Sequence, residues 1–402
     1  MSKKLEIDQW VNCPECKAKL KQENFTYHMK HVHNKKIDDT EIKPLEISYK
    51  KRQENKKPRV KSKTTIVIIT IIFIVVAASL SVYFLFNYNN SNNQNNSNNL
   101  NNQNNSNNSN NQNENKSYLV SIQGKGNYSS IQEAIDSASN NDTIYVSKGT
   151  YFENIIITKP IELIGEVKNT TIINGNGSGT VIQIAADYVK INGFTITNGG
   201  SVFQNKDAGI KTSSVYNTIS DCIISSNKNF GLYLSGYFKN PYNIIKNNTF
   251  SNNIYGIYAD GSKTNNISLN TFTGNTDYGM YLLGQSDDNT ISDNIFTDNN
   301  NAIRIKSSTK NTIIKNLIMN NKNGTYFCCG AVNNIVYNNN FINNANWNAK
   351  DDPGNIWDNG IVGNYWDDYT GIDANGDGIG DTPYLINLLA GDGDRFPLMQ
   401  QI

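Results

Sequence analysis

The sequence predicts an all-β fold, a parallel β-helix, and three observations carry that prediction. One motif is written six times, with copies beginning at Asn217, Asn243, Asn265, Asn289, Asn311 and Asn334, a period of 22 to 26 residues. Within each copy Ile, Phe or Leu takes alternate positions in segments of three to five residues, the two-residue period of a half-buried strand. Asn recurs ten residues after each start, at Asn227, Asn253, Asn275, Asn299, Asn321 and Asn344. It also recurs five residues in, at Asn248, Asn270, Asn294, Asn316 and Asn339, with Cys222 in the first copy. A unit this short holds no helix pair, and one coil cannot bury its apolar side alone, so the copies must stack. The Asn columns are then expected to form side-chain amide ladders in left-handed corners. Plain Asn-rich disorder would not hold Ile and Phe in register through six copies.

Taken from the N-terminus, the chain is unevenly charged. Residues 1–63 hold 17 Lys/Arg against 9 Asp/Glu, together with all three His. Five Cys, two near the start and three in the repeats, imply no disulfide framework. Residues 10–33 contain C-x2-C-x11-H-x4-H, in which Cys13, Cys16, His28 and His33 supply the tetrahedral sulfur and nitrogen set that Zn²⁺ prefers. This stretch resembles a C2H2 zinc finger, with Leu20 and Phe25 at its core positions and one residue fewer than usual before the first His. Residues 1–45 are therefore expected to be a zinc module for contacts with a cytoplasmic protein. Nucleic acid is not an expected partner, because a single finger rarely gives useful specificity.

Residues 46–63 form a basic segment that leads into 64–86, 23 residues without a charge. That length spans a bilayer core as a helix, and the preceding Lys/Arg place the N-terminus in the cytoplasm and the C-terminus outside. Sixty-three residues precede the apolar run, so an anchor is expected rather than a cleaved signal peptide. Residues 87–117, almost wholly Asn, Ser and Gln, read as a disordered spacer with N-x-S acceptors at Asn89, Asn95, Asn104, Asn107 and Asn115.

Order resumes at Tyr118 with an amphipathic helix over Ile131–Ala138 and then short alternating strands. This opening looks like the start of pectin-lyase-like proteins, a resemblance that implies a right-handed, single-stranded β-helix whose first coil the helix caps. An uncapped coil would expose a sheet edge. The β-helix is expected over 118–354 and a C-terminal cap over 355–402. The tail, GNYWDDYTGIDANGDGIGDTPY followed by DRFPLM, is similar to archaeal surface proteins with NosD-type repeats. That family's name implies copper-centre maturation.

Four constellations bear on chemistry. Asp373, Asn375, Asp377, Gly378, Ile379 and Asp381 match positions 1, 3, 5, 6, 7 and 9 of a calcium loop, with Tyr384 where a Glu should close it. Copper would have to use Cys222, Cys328, Cys329, Met280, Met319 and Met399, and strand alternation sends the adjacent Cys328 and Cys329 to opposite sides. Polysaccharide cleavage has weak catalytic candidates in Asp260, Asp287, Asp288, Arg304 and Lys306, since paired carboxylates must face each other about 5 to 10 Å apart. The fourth is a stripe. In the short strands GLYL, GIYA, GMYL, AIRI and GTYF the middle side chains, Tyr233, Tyr258, Tyr281, Arg304 and Tyr326, point away from the core at spacings of 25, 23, 23 and 22. They are expected to form one exposed row, suited to stacking on sugar rings.

The expectation is a single-pass membrane protein with an extracellular β-helix that binds surface glycan or a cell-wall component, or serves as an adhesin-like structural protein. A polysaccharide lyase or glycoside hydrolase is the alternative, and a copper-binding maturation protein the second.

Overall fold

The computed structural model describes residues 115–402, apart from 237–240, 353 and 388–391, together with two short strands near the N-terminus. Those two, Trp10–Asn12 and Lys19–Lys21, pair antiparallel. The residues expected to bind zinc, Cys13, Cys16, His28 and His33, the apolar span 64–86 and the Asn/Ser/Gln-rich stretch through residue 114 lie outside the described residues. Among the described residues no helix is long and apolar enough to cross a membrane. The chain divides into two units, Met1–Asn108 and Ser109–Ile402.

The second unit is an all-β, right-handed parallel solenoid. Each full coil contributes one strand to each of three sheets, which hold ten, ten and nine strands. Pairing is parallel between successive coils, so like side chains stack on like. In the first sheet the inward column runs Ile191, Ile219, Ile245, Ile267, Ile291, Ile313 and Val336. In the second it runs Ile196, Ile224, Phe250, Phe272, Phe296, Ile318, Phe341 and Trp366. Phe250, Phe272 and Phe296 stack nearly parallel, with ring centroids 5.0 and 4.5 Å apart. Every member of both columns is buried, and each contributes roughly 2 kcal/mol relative to exposure.

Both ends are closed. At the start, helix α1 (Ile131–Ser137) buries Ile131, Ala134 and Ile135 over the first coil. Glu153 accepts from the amides of Ile131 and Gln132 and from Ser130 Oγ, which fixes the helix N-terminus. Lys159 Nζ donates to the carbonyls of Ile135, Asp136 and Ala138 at the other end. At the C-terminus Trp366 lies 4.3 Å from Phe341 and 4.2 Å from Tyr384, both nearly parallel, so the aromatic column continues into the cap.

Three Asn ladders run through the corners as expected. Asn294 is typical: it is 1% exposed, and its Oδ1 accepts from Asn270 N at 2.9 Å and Asn270 Nδ2 at 3.0 Å. Its own N and Nδ2 donate to Asn316 Oδ1, both at 3.0 Å, and Nδ2 also reaches Ile267 O at 2.8 Å. Donation from one ladder Asn to another always runs from one coil to the next toward the C-terminus. One detail differs from the sequence reading. The left-handed residue is the one before each ladder Asn, for example Leu269 (φ 57), Asp293 (φ 56) and Lys315 (φ 55), and not the Asn itself. That turn is what aims the following amide along the solenoid axis.

Candidate ligand-binding face

The outer surface of the third sheet gathers more aromatic rings than the other two. Its strands Phe230–Ser235, Tyr255–Asp260, Tyr278–Leu283, Asn301–Lys306 and Asn323–Cys328 pair in the register read from sequence: Tyr233 with Tyr258, Tyr258 with Tyr281, Tyr281 with Arg304, Arg304 with Tyr326. The row is real, but its exposure is not uniform. Tyr233 and Tyr258 are 6% and 7% exposed, buried rather than open. Residues 201–207 loop over them from the preceding coil. Phe203 packs 5.3 Å from Phe230 and edge-on to Tyr258 at 6.2 Å, and Lys206 Nζ sits 4.2 Å above the Phe203 ring. Tyr281, Arg304 and Tyr326 remain half-exposed.

A second row runs beside the first. Phe230, Tyr255 and Tyr278 occupy the position before the strand Gly and pair in register. Tyr255 and Tyr278 stack at 6.0 Å. Burial raises the Tyr255 hydroxyl pKa, and Asp277 beside it adds to the effect. The signal was present in the sequence, because these aromatics follow the same period as the first row. Trp347, edge-on to Tyr326 at 6.2 Å, extends the face in the C-terminal direction, where Lys350 Nζ covers its ring at 5.0 Å.

Arg304 is the centre of the open part. Its guanidinium lies 5.2 Å from the Tyr281 ring and 5.4 Å from that of Tyr326. Nη1 donates to Tyr278 Oη at 3.0 Å and Nη2 to Cys328 Sγ at 3.4 Å, while Nε is buried without a partner. No carboxylate among the described residues forms an ion pair with it. The face thus presents flat apolar rings, a fixed cation and phenol hydroxyls along one edge.

The catalytic candidates do not assemble. Asp260 ends one third-sheet strand and accepts from Tyr233 Oη at 3.3 Å. Lys306 ends another strand two rungs further on, about 10 Å along the axis. Asp287 is taken up in its corner by Lys263 Nζ at 3.1 Å and by the Thr309 amide at 2.8 Å. Asp288 is the exposed left-handed residue beside it (φ 57). Arg304 is held by the aromatic rows.

The soft copper candidates are spread over the solenoid. Cys222 is buried at a ladder position, its thiol pushed up to about 12 by burial. Met280 points into the core from the third sheet and Met319 belongs to the second. Cys328 and Cys329 correct the alternation argument: Cys329 is left-handed (φ 57), which turns the chain and brings the two sulfurs 2.8 Å apart.

The calcium-like loop is folded onto itself. Asp373 accepts from the amides of Gly376, Asp377 and Gly378, at 2.7, 3.2 and 2.8 Å, and the Gly378 amide leads in holding its carboxyl below the usual range. Asp377 accepts from the Ile379 amide, Asp381 from the Ala374 amide, and Asn375 Nδ2 donates to Asp377. Among the described residues no group of three or more His, Cys, Asp or Glu is arranged to hold a metal ion.

Sheets, ladders and caps define the class: a parallel β-solenoid capped at both ends, with an aromatic face on one side. Comparison with known proteins agrees with that class. The family described as "Periplasmic copper-binding protein (NosD)" matches residues 236–371, and the pectinesterase family matches residues 117–237. A "Cell surface glycoprotein" of Methanothermus fervidus is 30% identical over 162 residues, 39% of this chain and 27% of that protein. The "Probable pectinesterase/pectinesterase inhibitor 12" of Arabidopsis thaliana is 34% identical over 126 residues, 27% of this chain and 23% of that one. The chain therefore spans about a quarter of these relatives' length. Among solved structures, a complex of XylC with xylose aligns over 62% of this chain and 68% of that one, at 13% identity and a TM-score of 0.47. The A-module of the Azotobacter vinelandii mannuronan C-5 epimerase AlgE4 aligns over 55% and 76%, at 16% identity and a TM-score of 0.43. At these scores neither carries an argument about substrate.

Proposed function

We propose that this chain is a membrane-tethered surface protein whose extracellular β-helix binds glycan along the open part of the third-sheet face. The observation that carries the reading is Arg304, a cation fixed between two half-exposed tyrosine rings with no carboxylate partner among the described residues. Rigid rings offer flat apolar surface to a sugar, and the guanidinium offers forked hydrogen bonds to hydroxyl or carboxylate oxygens. A relative named for the cell surface, and the uncharged span 64–86 after a basic run, support the extracellular placement. Zinc at Cys13, Cys16, His28 and His33, with a cytoplasmic protein partner, and calcium at Asp373, Asn375, Asp377, Ile379 and Asp381 belong to the same proposal. Each rests on ligand spacing, and metal analysis of the full chain tests both.

Binding of the full chain to a glycan panel tests the main reading. Tyr281→Ala with Tyr326→Ala should weaken binding by about tenfold to thirtyfold, at ~1 kcal/mol per stacking contact, with a small change in melting temperature. Tyr258→Ala, at a buried position, should lower the melting temperature instead. Unchanged binding in the double variant defeats the platform. Accumulation of unsaturated or reducing sugars would replace it with a lyase or hydrolase.

A further inference from the structure

The corner after each third-sheet strand is left-handed. Three successive coils fill it with Gly261 (φ 66), Gly284 (φ 61) and Ser307 (φ 48), and the fourth with Cys329 (φ 57). Glycine adopts this backbone freely, whereas an L residue is strained there by roughly 1–2 kcal/mol. Ser307 and Cys329 accept that cost at equivalent corners. The strained backbone has a chemical result, because Cys329 Sγ lies 2.8 Å from the sulfur of Cys328, the last residue of the strand. Both thiols are free; Cys329 is exposed and Cys328 buried behind it. The corner is fixed on both sides: the Cys329 amide donates to Asp352 Oδ2 at 2.8 Å, and Ser307 Oγ donates to the Cys329 carbonyl at 2.6 Å. Arg304 Nη2 approaches Cys328 Sγ at 3.4 Å. Burial pushes the Cys328 thiol up, and that guanidinium opposes the shift by favouring a thiolate.

We propose that Cys328 and Cys329 form a thiol–disulfide exchange site for small soluble disulfides. The exposed Cys329 thiolate attacks one sulfur of R–S–S–R. That S–S bond breaks, one RS⁻ leaves and takes up a proton, and a mixed disulfide forms on Cys329. Cys328, deprotonated beside Arg304, then attacks Cys329 Sγ and displaces the second RS⁻, which is protonated in turn. The pair loses two electrons and two protons and R–S–S–R gains them, giving two RSH and a Cys328–Cys329 disulfide. The two thiols are not among the proposed glycan contacts, and Arg304, which carries the glycan reading, enters here only through its 3.4 Å approach to Cys328.

The experiment treats the reduced full chain with glutathione disulfide under native conditions and maps the peptide that carries residues 328 and 329 by mass. That peptide should lose two hydrogens while Cys222, buried in the core, stays unmodified and reports an intact solenoid. Cys328→Ser should stop at the glutathione adduct on Cys329, and Cys329→Ser should leave Cys328 unreacted. Cys13 and Cys16 fall in other peptides and do not enter the readout. The proposal fails if the wild-type peptide stays reduced, if it halts at the adduct, or if it closes only when Cys222 is modified with it.

Discussion

The coils before Asn217 and those after it share three sheets and one core, yet they close their corners by different means. The earlier corners hold Val189 and Gly199, whose amides donate to Asn217 Oδ1 and Asn227 Oδ1 of the next coil, each at 2.9 Å. From there onward the corner residue is Asn in coil after coil, and Cys222 stands between Phe194 and Asn248 in the middle column. The two family matches divide near the same place, around residue 236. One ladder Asn side chain accepts from the backbone and side-chain amides of the preceding Asn and donates to the next Asn and to a buried carbonyl, so a tight corner needs no help from loops. The earlier corners draw on other side chains for the same purpose, such as Thr195 Oγ1 donating to the carbonyl of the loop residue Lys168 at 2.7 Å. Regular repeats follow where the polar corner is self-sufficient.

The sharpest way to break that contrast is a charge inside a ladder. Asn294→Asp removes donations to Asn316 and Ile267 and sets a carboxylate against their oxygens. It should destabilise by roughly 3–5 kcal/mol, whereas Asn300→Asp, partly exposed one residue past a ladder position, should cost under about 1 kcal/mol. Equal melting temperatures for the two variants would refute the ladder as a source of stability.

One ladder already ends in a carboxylate, which gives the second test. Asp394 accepts from Asn364 N at 2.6 Å, Trp366 Nε1 at 2.9 Å and Phe396 N at 3.0 Å, yet burial pushes its pKa from 3.8 up to about 6. Between those values the folded chain holds a proton that the unfolded chain has released. Stability from this group is therefore fully present below about pH 4 and falls as pH rises toward 6, by roughly 2–3 kcal/mol. Asp358 works the other way. Burial would raise its pKa, but Arg395 Nη2 at 2.6 Å and Nε at 2.9 Å lowers it. Its contribution is present above the usual carboxylate range and lost as pH falls through it. Melting curves at pH 4 to 7 should show the decline in the wild type and a flat profile in Asp394→Asn; a slope that survives the substitution assigns the effect elsewhere.

The smallest effect sharpens the boundary itself. Cys222 takes the ladder position with a sulfur facing the Phe194 and Gly193 amides. Cys222→Asn extends the column by one rung and should raise stability by about 1 kcal/mol. A lower melting temperature would mean that the earlier coils cannot receive a ladder.

The solenoid was legible in the sequence because its signals are periodic. Alternating Ile and Phe set the strands, and Asn at fixed intervals set the ladders. What was hidden was not periodic. Tyr233 and Tyr258 repeat correctly, but the loop carrying Phe203 and Lys206 belongs to one coil alone, so no period announced that it covers them. Alternation likewise fails for Cys328 and Cys329, because the rule holds inside a strand and the second Cys lies in the turn. For the calcium-like loop the spacing was plain. What spacing did not announce is that backbone amides already turn toward the first carboxylate, Asp373.

The one-way donation along the ladders makes the two ends of the solenoid unlike. Each final rung has N–H groups left over, and acceptor oxygens receive them. Asn364 donates to Asp394, Asn355 Nδ2 to Asp351 at 2.6 Å, and Asn344 Nδ2 to Asn348, which passes the demand on to Asp367 and Asp368. An interior coil offers the same acceptors upstream and the same donors downstream as its neighbours. Duplication or loss of a whole coil therefore leaves both termini chemically unaltered, and the length of the protein is free to drift in steps of one repeat. Joining two copies end to end is a different matter, since the downstream donors are already spoken for.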